Sequence, residues 1–383
     1  MGIKRILAFI MSVAMLAHIL AITGCSGKDS EGNGNIKLSK GKNIIRFQKR
    51  EGDWGWMFVD SFIIDGDSIH PKWSFDVKPE LINPNTDAET QELYKYLCSI
   101  YGKKMLSGQQ LYYSDEQEIQ RIEKVTGKLP AIKGYDMINQ LPGGEADDQV
   151  ERAIDWHVNH NGIVTMCWHW WAPAGGRAFY TKDTTFDISK AVIPGTDEYK
   201  LVMRDMDVIA GKLKEMQKAG VPVLWRPLHE ASGGWFWWGA KGPEPYKKLW
   251  EMMYDRFTNY YKLDNLIWVW NGQDPNWYVG DQYCDIAGED IYPGERVYSS
   301  HAAKFGECYN TVGGKKPVAL TETGCLPDTD DIEVTGAHWL WFMVWWGDFM
   351  TTDKYTDDQM LEKVYNDKNV ITLDELPGLG ANK

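Results

Sequence analysis

A chain of 383 residues with 43% hydrophobic side chains can bury a large core, which excludes disorder over its full length. A formal net charge of −13, with no basic run beyond the first few residues, excludes a nucleic-acid binder, which needs clustered Lys and Arg against phosphate. Nineteen Trp, nineteen Tyr and twelve Phe are more flat rings than stability alone requires; they suit stacking on sugar faces, with a large aromatic core as the alternative.

Residues 1–24 read as a secretory signal: Lys4 and Arg5 precede an apolar run that Ser12 and His18 interrupt and that is short for a membrane span. Ile22-Thr23-Gly24-Cys25 resembles a bacterial lipoprotein box, which would export the chain and anchor it to the outer face of a membrane through lipid on Cys25; an ordinary cleaved signal, leaving a secreted protein, is the alternative. The polar, glycine-rich residues 25–42 are expected to form a flexible tether. Residues 43–80 carry β-type runs, too few for an independent sandwich, and resemble the last strands of a carbohydrate-binding module. The main domain is expected over residues 81–383.

From Thr86 onward, helical and strand patterns alternate. The spacing predicts a helix over 86–101, with Thr86 as N-cap and Glu89 completing a capping box, then an apolar run at 104–110. A helix at 114–126, a strand at 129–135, a helix at 147–161 and a strand at 162–168 follow. A long helix at 196–219 stops at Gly220 and leads into the buried-type run from Val223. Next come a helix at 243–261 with proline near its start, a strand at 265–271, a strand within 283–292 and a helix at 299–312. A strand at 316–322, an apolar run at 338–346 and a helix at 357–365 close the series. Eight such units predict an α/β fold closed as a (β/α)8 TIM barrel. A doubly wound sheet has no support, because no Gly-rich phosphate turn follows the first strand.

Barrel sites lie at the C-terminal ends of strands. The groups expected there are Gln109 and Gln110, Lys133 to Tyr135, His169, Glu230, Asn271 to Gln273, Asp290 and Tyr292, Glu322 and Trp345. Glu230 ends the fourth strand and Glu322 the seventh, so the two acids face each other across the mouth. A retaining glycosidase needs two carboxyls about 5–5.5 Å apart, one as nucleophile and one as acid/base; a structural ion pair is the plainer reading of either. Trp235, Trp237 and Trp238 would make the surroundings of Glu230 less polar and raise its pKa, and Arg226 would keep Glu322 or another carboxylate charged. Tyr292 from strand six would hydrogen-bond the nucleophilic carboxylate. His169 and His229 are candidates for binding sugar hydroxyls. No CxxC, HExxH or HxH spacing occurs, so neither metal nor cofactor is expected, and Ser232 lacks the GxSxG elbow of a serine hydrolase. Apart from Cys25, five cysteines remain, so at least one should be a free thiol.

These residues form a recognisable set. Trp225 to Gly239 is similar to the acid/base segment of glycoside hydrolase family 26, the endo-β-mannanase family, and Val318 to Gly324 resembles its nucleophile segment. Val164 to Pro173, Gly288 to Tyr292 and Trp341 to Gly347 match further segments in chain order, and the resemblance covers about residues 85–375. It implies a (β/α)8 retaining endo-β-1,4-mannanase with Glu230 as acid/base and Glu322 as nucleophile. It also implies that Arg226, His229 and Tyr292 surround the carboxylates, that His169, Trp235 and Trp345 line the nearest sugar subsites, and that Asp290 belongs to the substrate-binding set. Ala231-Ser232 stands where several members have Met-Asn. The family also holds mixed-linkage β-glucan and β-1,3-xylan enzymes. An inactive sugar-binding lipoprotein is an alternative of another class, against which both retained Glu residues speak. A monomer is expected, with polysaccharide and membrane as partners.

Overall fold

The computed structural model describes residues 73–145 and 147–379. The signal, Cys25 and its box, the tether and residues 43–72 lie outside that range. The described end of the β-rich segment, residues 73–80, forms no strand; Trp73 and Phe75 instead pack their rings against Phe305. Among the described residues no helix is long and apolar enough to cross a membrane.

Eight parallel strands close into a barrel in chain order. They are β1 (Gly108–Gln110), β2 (Ile132–Asp136), β3 (Ile163–Cys167), β4 (Val223–Arg226), β5 (Leu266–Trp270), β6 (Ile286–Ile291), β7 (Val318–Thr323) and β8 (Phe342–Val344). All are short, and most are continuously buried because helices cover the outside while side chains fill the inside. The two-residue period decides which face each side chain meets. On β4, Trp225 turns outward onto Phe257. Leu224 turns inward, in one cluster with Ile132, Ile163, Ile267, Ile286 and Ala319 from neighbouring strands. Arg226, two residues on, turns inward again at the C-terminal end.

The outer layer consists of α2 (Gln117–Thr126), α3 (Gln149–Val158), α4 (Asp197–Lys218), α5 (Pro243–Tyr254), α6 (Ala302–Thr311), α7 (Thr329–Thr335) and α8 (Asp358–Tyr365). Between β5 and β6 there are only two short 3₁₀ turns, Pro275–Trp277 and Asp281–Tyr283. The first helix, α1 (Ala88–Ile100), has a different task. Its buried Leu93, Tyr94 and Leu97 join the inward-facing strand residues, and the Tyr94 hydroxyl donates to the carbonyl of Asp285, just before β6. The helix thus closes the N-terminal end of the barrel.

Two local expectations need correcting. Asp87 caps α1, accepting from the Thr90 N–H at 2.8 Å, while the Thr86 hydroxyl turns back to donate to the Asn83 carbonyl. The apolar run at 104–110 also divides: Met105–Leu106 pairs with Val370–Ile371 outside the barrel, and only Gly108–Gln110 enters it. Thr196 caps α4, accepting from Tyr199 N–H, a contact worth about 1 kcal/mol. Cys98, Cys167, Cys284, Cys308 and Cys325 are all free thiols.

Candidate active site

The barrel mouth is built from strand ends whose backbones are bent to reach it. The register slips between Glu289 and Asp290 on β6, and again between Leu320 and Thr323 on β7. Such bulges re-aim side chains near sites, and here Asp290 and Glu322 become paired neighbours. Gly288 makes the close approach possible, since a Cβ there would lie 2.4 Å from Thr321 Cγ2.

Beyond β4 the chain turns through Leu228 (φ 51°) and Glu230 (φ 52°), both in the left-handed region. Each costs a non-glycine residue roughly 1–2 kcal/mol, and such strain persists only where surrounding contacts over-determine it. Three contacts do so. The Glu230 N–H donates to Asn271 O at 2.8 Å and Oδ1 at 3.0 Å, and Trp238 Nε1 donates to the His229 carbonyl at 2.8 Å.

A buried charge network lies under this turn. Arg226 Nη1 donates to Asp290 Oδ2 at 2.9 Å, and Nη2 donates to Glu322 Oε1. The other Glu322 oxygen accepts from the Tyr292 hydroxyl at 2.7 Å. Asn271 Nδ2 and Thr321 Oγ1 both donate to Asp290 Oδ1, at 2.8 and 2.7 Å. Glu230 Oε2 accepts from Trp235 Nε1 at 2.8 Å. One oxygen from each of Glu230, Asp290 and Glu322 lies within 4.8 Å of the other two.

Burial, with the Asp290 charge second, pushes the Glu230 carboxyl up to about 7, against the pull of the Trp235 N–H and Arg226. The same two causes raise Glu322, opposed by Arg226 and the Tyr292 hydrogen bond. Burial also raises Asp290 despite Arg226, Thr321 and Asn271. Three carboxylates beside one guanidinium cannot all stay charged cheaply away from water.

The expected aromatic wall divides into two parts. Trp235 is 45% exposed and Tyr292 43%, so both present ring surface to the mouth, and half-buried Trp345 stands 5.8 Å from His169 between centroids. Trp237 and Trp238 are fully buried and meet edge to face behind the turn, packing instead of lining the cleft.

Arg226, His229, Glu230, Asp290, Tyr292 and Glu322 therefore come together with His169, Trp235 and Trp345, as do Gln273, whose Nε2 donates to Asp290 O, and Asn271. Gln109 donates to the Trp345 carbonyl. Lys133 and Tyr135 do not join them. Lys133 turns outward to Glu116 at 2.7 Å, and the Tyr135 hydroxyl donates to the Arg152 carbonyl. The inward residue at that strand end is Asp136, one position further, which sequence reading missed. Its signal was present: an acid directly after an apolar strand.

Among the described residues, two side-chain groups present metal-type donors, Asp136 with Cys167 and His169, and Glu230 with Asp290 and Glu322. In the first, Asp136 Oδ2 and His169 Nδ1 stand 2.6 Å apart, a hydrogen bond and closer than two ligands sit around one ion. In the second, the Arg226 guanidinium already bridges two of the carboxylates. Both donor sets are engaged by protein partners.

The glycosyl hydrolase family 26 model matches residues 82–375. A mannan endo-1,4-β-mannosidase of Thermothelomyces thermophilus is 40% identical over 90% of this chain and 72% of its own length. A solved Podospora anserina GH26-CBM35 β-(1,4)-mannanase superposes with a TM-score of 0.77 at 41% identity, covering 82% of this chain and 72% of that one. A β-mannanase from a symbiotic protist of the termite Reticulitermes speratus, solved with a gluco-manno-oligosaccharide, gives a TM-score of 0.75 at 34% identity over 80% of this chain and 99% of that one.

Proposed function

The chain belongs to glycosyl hydrolase family 26, and on that premise we propose that it hydrolyses internal β-1,4 bonds of mannan with net retention, using Glu322 as nucleophile and Glu230 as acid/base. The observation that carries this reading is the carboxylate spacing. Oxygens of Glu230 and Glu322 lie within 4.8 Å of each other, on the side of the roughly 5–5.5 Å that suits direct attack. An inverting enzyme needs about 6.5–9.5 Å to seat a water.

Hydrogen-bond donors divide the roles. Glu322 receives the Arg226 guanidinium and the Tyr292 hydroxyl, both of which favour its charged form. Glu230 receives one neutral indole N–H. The proton held by the crowded carboxylates therefore belongs on Glu230. From there it passes to the glycosidic oxygen as that bond breaks, while Glu322 attacks the anomeric carbon and forms a glycosyl-enzyme. Glu230, now charged, takes a proton from water, and the hydroxide formed releases the sugar and frees Glu322. Trp235 and Trp345 offer stacking faces beside the bond, and His169 offers polar contact. Asp290 acts under the site, holding Arg226 against Glu322.

Mannan as substrate is supported by the names of the relatives. The test is release of reducing ends by the purified protein from mannan, mixed-linkage β-glucan and β-1,3-xylan, beside Glu322→Ala. Wild-type activity greatest on mannan, and lost in the variant, is expected; equal inertness of both on all three would overturn the reading in favour of a sugar-binding protein. The lipobox likeness of residues 22–25 supports export and anchoring through Cys25. Incorporation of labelled fatty acid that Cys25→Ala abolishes is the expected result, and incorporation unaffected by that change would refute it.

A further inference from the structure

One buried acid at the mouth takes no part in the double displacement. Asp136 ends β2 and is 4% exposed. Its Oδ1 accepts from the backbone N–H of His169 and of Ile138, each at 3.0 Å. Its Oδ2 accepts from His169 Nδ1 at 2.6 Å. The opposite nitrogen of that ring, Nε2, lies 3.2 Å from Nε2 of His229, the residue directly before Glu230. Three side chains thus form a line from the end of β2 to the turn that carries Glu230.

The protons along this line follow from what each group can do. A carboxylate only accepts, so His169 Nδ1 carries a hydrogen. Of the two facing Nε2 atoms, one must donate and the other accept. Burial pulls the His169 pKa down, but the charge and hydrogen bond of Asp136 outweigh it and raise the ring's pKa. Burial, with Arg226 and His169 adding to it, pushes His229 well below the ordinary imidazole range. His169 is accordingly the donor and His229 the neutral acceptor, with its own proton on Nδ1. That Nδ1 is buried and has no hydrogen-bond partner among the described residues. An imidazole with one idle nitrogen, which is costly when buried, is held by the other. The ring therefore keeps its place through His169, and His169 through Asp136.

We propose that Asp136 is a positioning residue for Glu230: by orienting His169 through two hydrogen bonds it fixes His229, and with it the left-handed turn that presents the Glu230 carboxyl. This rests on the reading of Glu230 as acid/base. Cys167 lies beside this line, as the paired neighbour of Asp136 on β3, but makes no link in it.

The isosteric variant Asp136→Asn tests the proposal with two readouts. The first compares mannan with a dinitrophenyl β-mannobioside, whose leaving group needs little protonation. A misplaced acid/base should lower kcat on mannan roughly 10- to 100-fold, with little change in KM, while kcat/KM for the dinitrophenyl substrate stays close to wild type. Equal losses on both substrates would reduce Asp136 to a structural residue, and no loss on either would remove it from the machinery; both overturn the proposal. The second readout is independent of activity. In the wild-type protein a downfield, slowly exchanging imidazole Nδ1–H resonance is expected, assigned by its loss in His169→Gln and lost again in Asp136→Asn. Its absence from the wild type would overturn the proposal even if Asp136→Asn failed to fold. It also separates this inference from the mannanase reading, since it holds or fails whether or not mannan is cleaved.

Discussion

Leu224 and Arg226 stand two residues apart on β4 and face the same interior, yet they meet opposite surroundings. Around Leu224 the strands contribute Ile132, Ile163, Ile267, Ile286 and Ala319, and α1 adds Leu93 and Leu97 from below. Around Arg226 are Asp290, Glu322 and, above them, Glu230. The lower layer removes apolar surface from water and leaves no charge to desolvate. The upper layer buries three acids beside one guanidinium, holds Leu228 and Glu230 in left-handed backbone and leaves a nitrogen of His229 unpaired. Desolvation on that scale is weak support for a fold, and removing one of three acids that crowd a single guanidinium relieves part of it. The difference teaches that the closed end adds to the barrel's stability without burying charge, and so helps offset the strain of the open end.

The two ends should therefore respond differently to substitution. At the mouth, Glu322→Ala should lower mannan hydrolysis on the order of 10⁴-fold or more. Its calorimetric melting temperature should be unchanged or higher, because one crowded carboxyl is gone while Arg226 keeps Asp290. A large drop in melting temperature would erase the contrast. Glu230→Ala should cost about 10²- to 10⁴-fold on mannan and far less on a dinitrophenyl mannobioside, as steady-state kinetics on the two substrates would reveal.

At the closed end the pattern should invert. Leu97, fully buried in α1, fills the plug, and Leu97→Ala should remove about 2–5 kcal/mol of stability in urea titrations. Its kcat and KM at a temperature well below unfolding should match wild type. The smallest effect concerns pH. In the role proposed for it, Glu230 must hold its proton, so kcat/KM on mannan should fall as pH rises through its pKa of about 7. The Trp235 N–H favours the charged carboxylate. Trp235→Phe keeps the ring but removes that bond, so the alkaline limb should move upward by a fraction of a unit; a downward move would contradict the assignment.

The same contrast separates what sequence could reveal from what it could not. Strand ends are marked by the break from apolar run to polar residue, which is why Arg226, His229, Glu230, Asp290, Tyr292 and Glu322 were legible at the mouth. Asp136 is marked less plainly, because the expected strand stops at residue 135, and a single step in a two-residue period exchanges inside for outside. The same step places Lys133 and Tyr135 on the face toward the helices. The plugging role of α1 was equally hidden. Its apolar face announces a helix that packs, but only closure of the barrel decides which end it covers. The irregularities on β7, the first of which brings Glu322 beside Asp290, leave no mark that a pattern of residue types can carry.

The central claim is that Glu322 attacks directly from across the mouth, leaving no room for an intervening water. Proton NMR of the anomeric signals, recorded in the first minutes of mannan-oligosaccharide cleavage before mutarotation, tests it most directly. The carboxylate spacing predicts that the newly released reducing end appears first as the β-anomer; an α-anomer appearing first would mean inversion and would contradict the account.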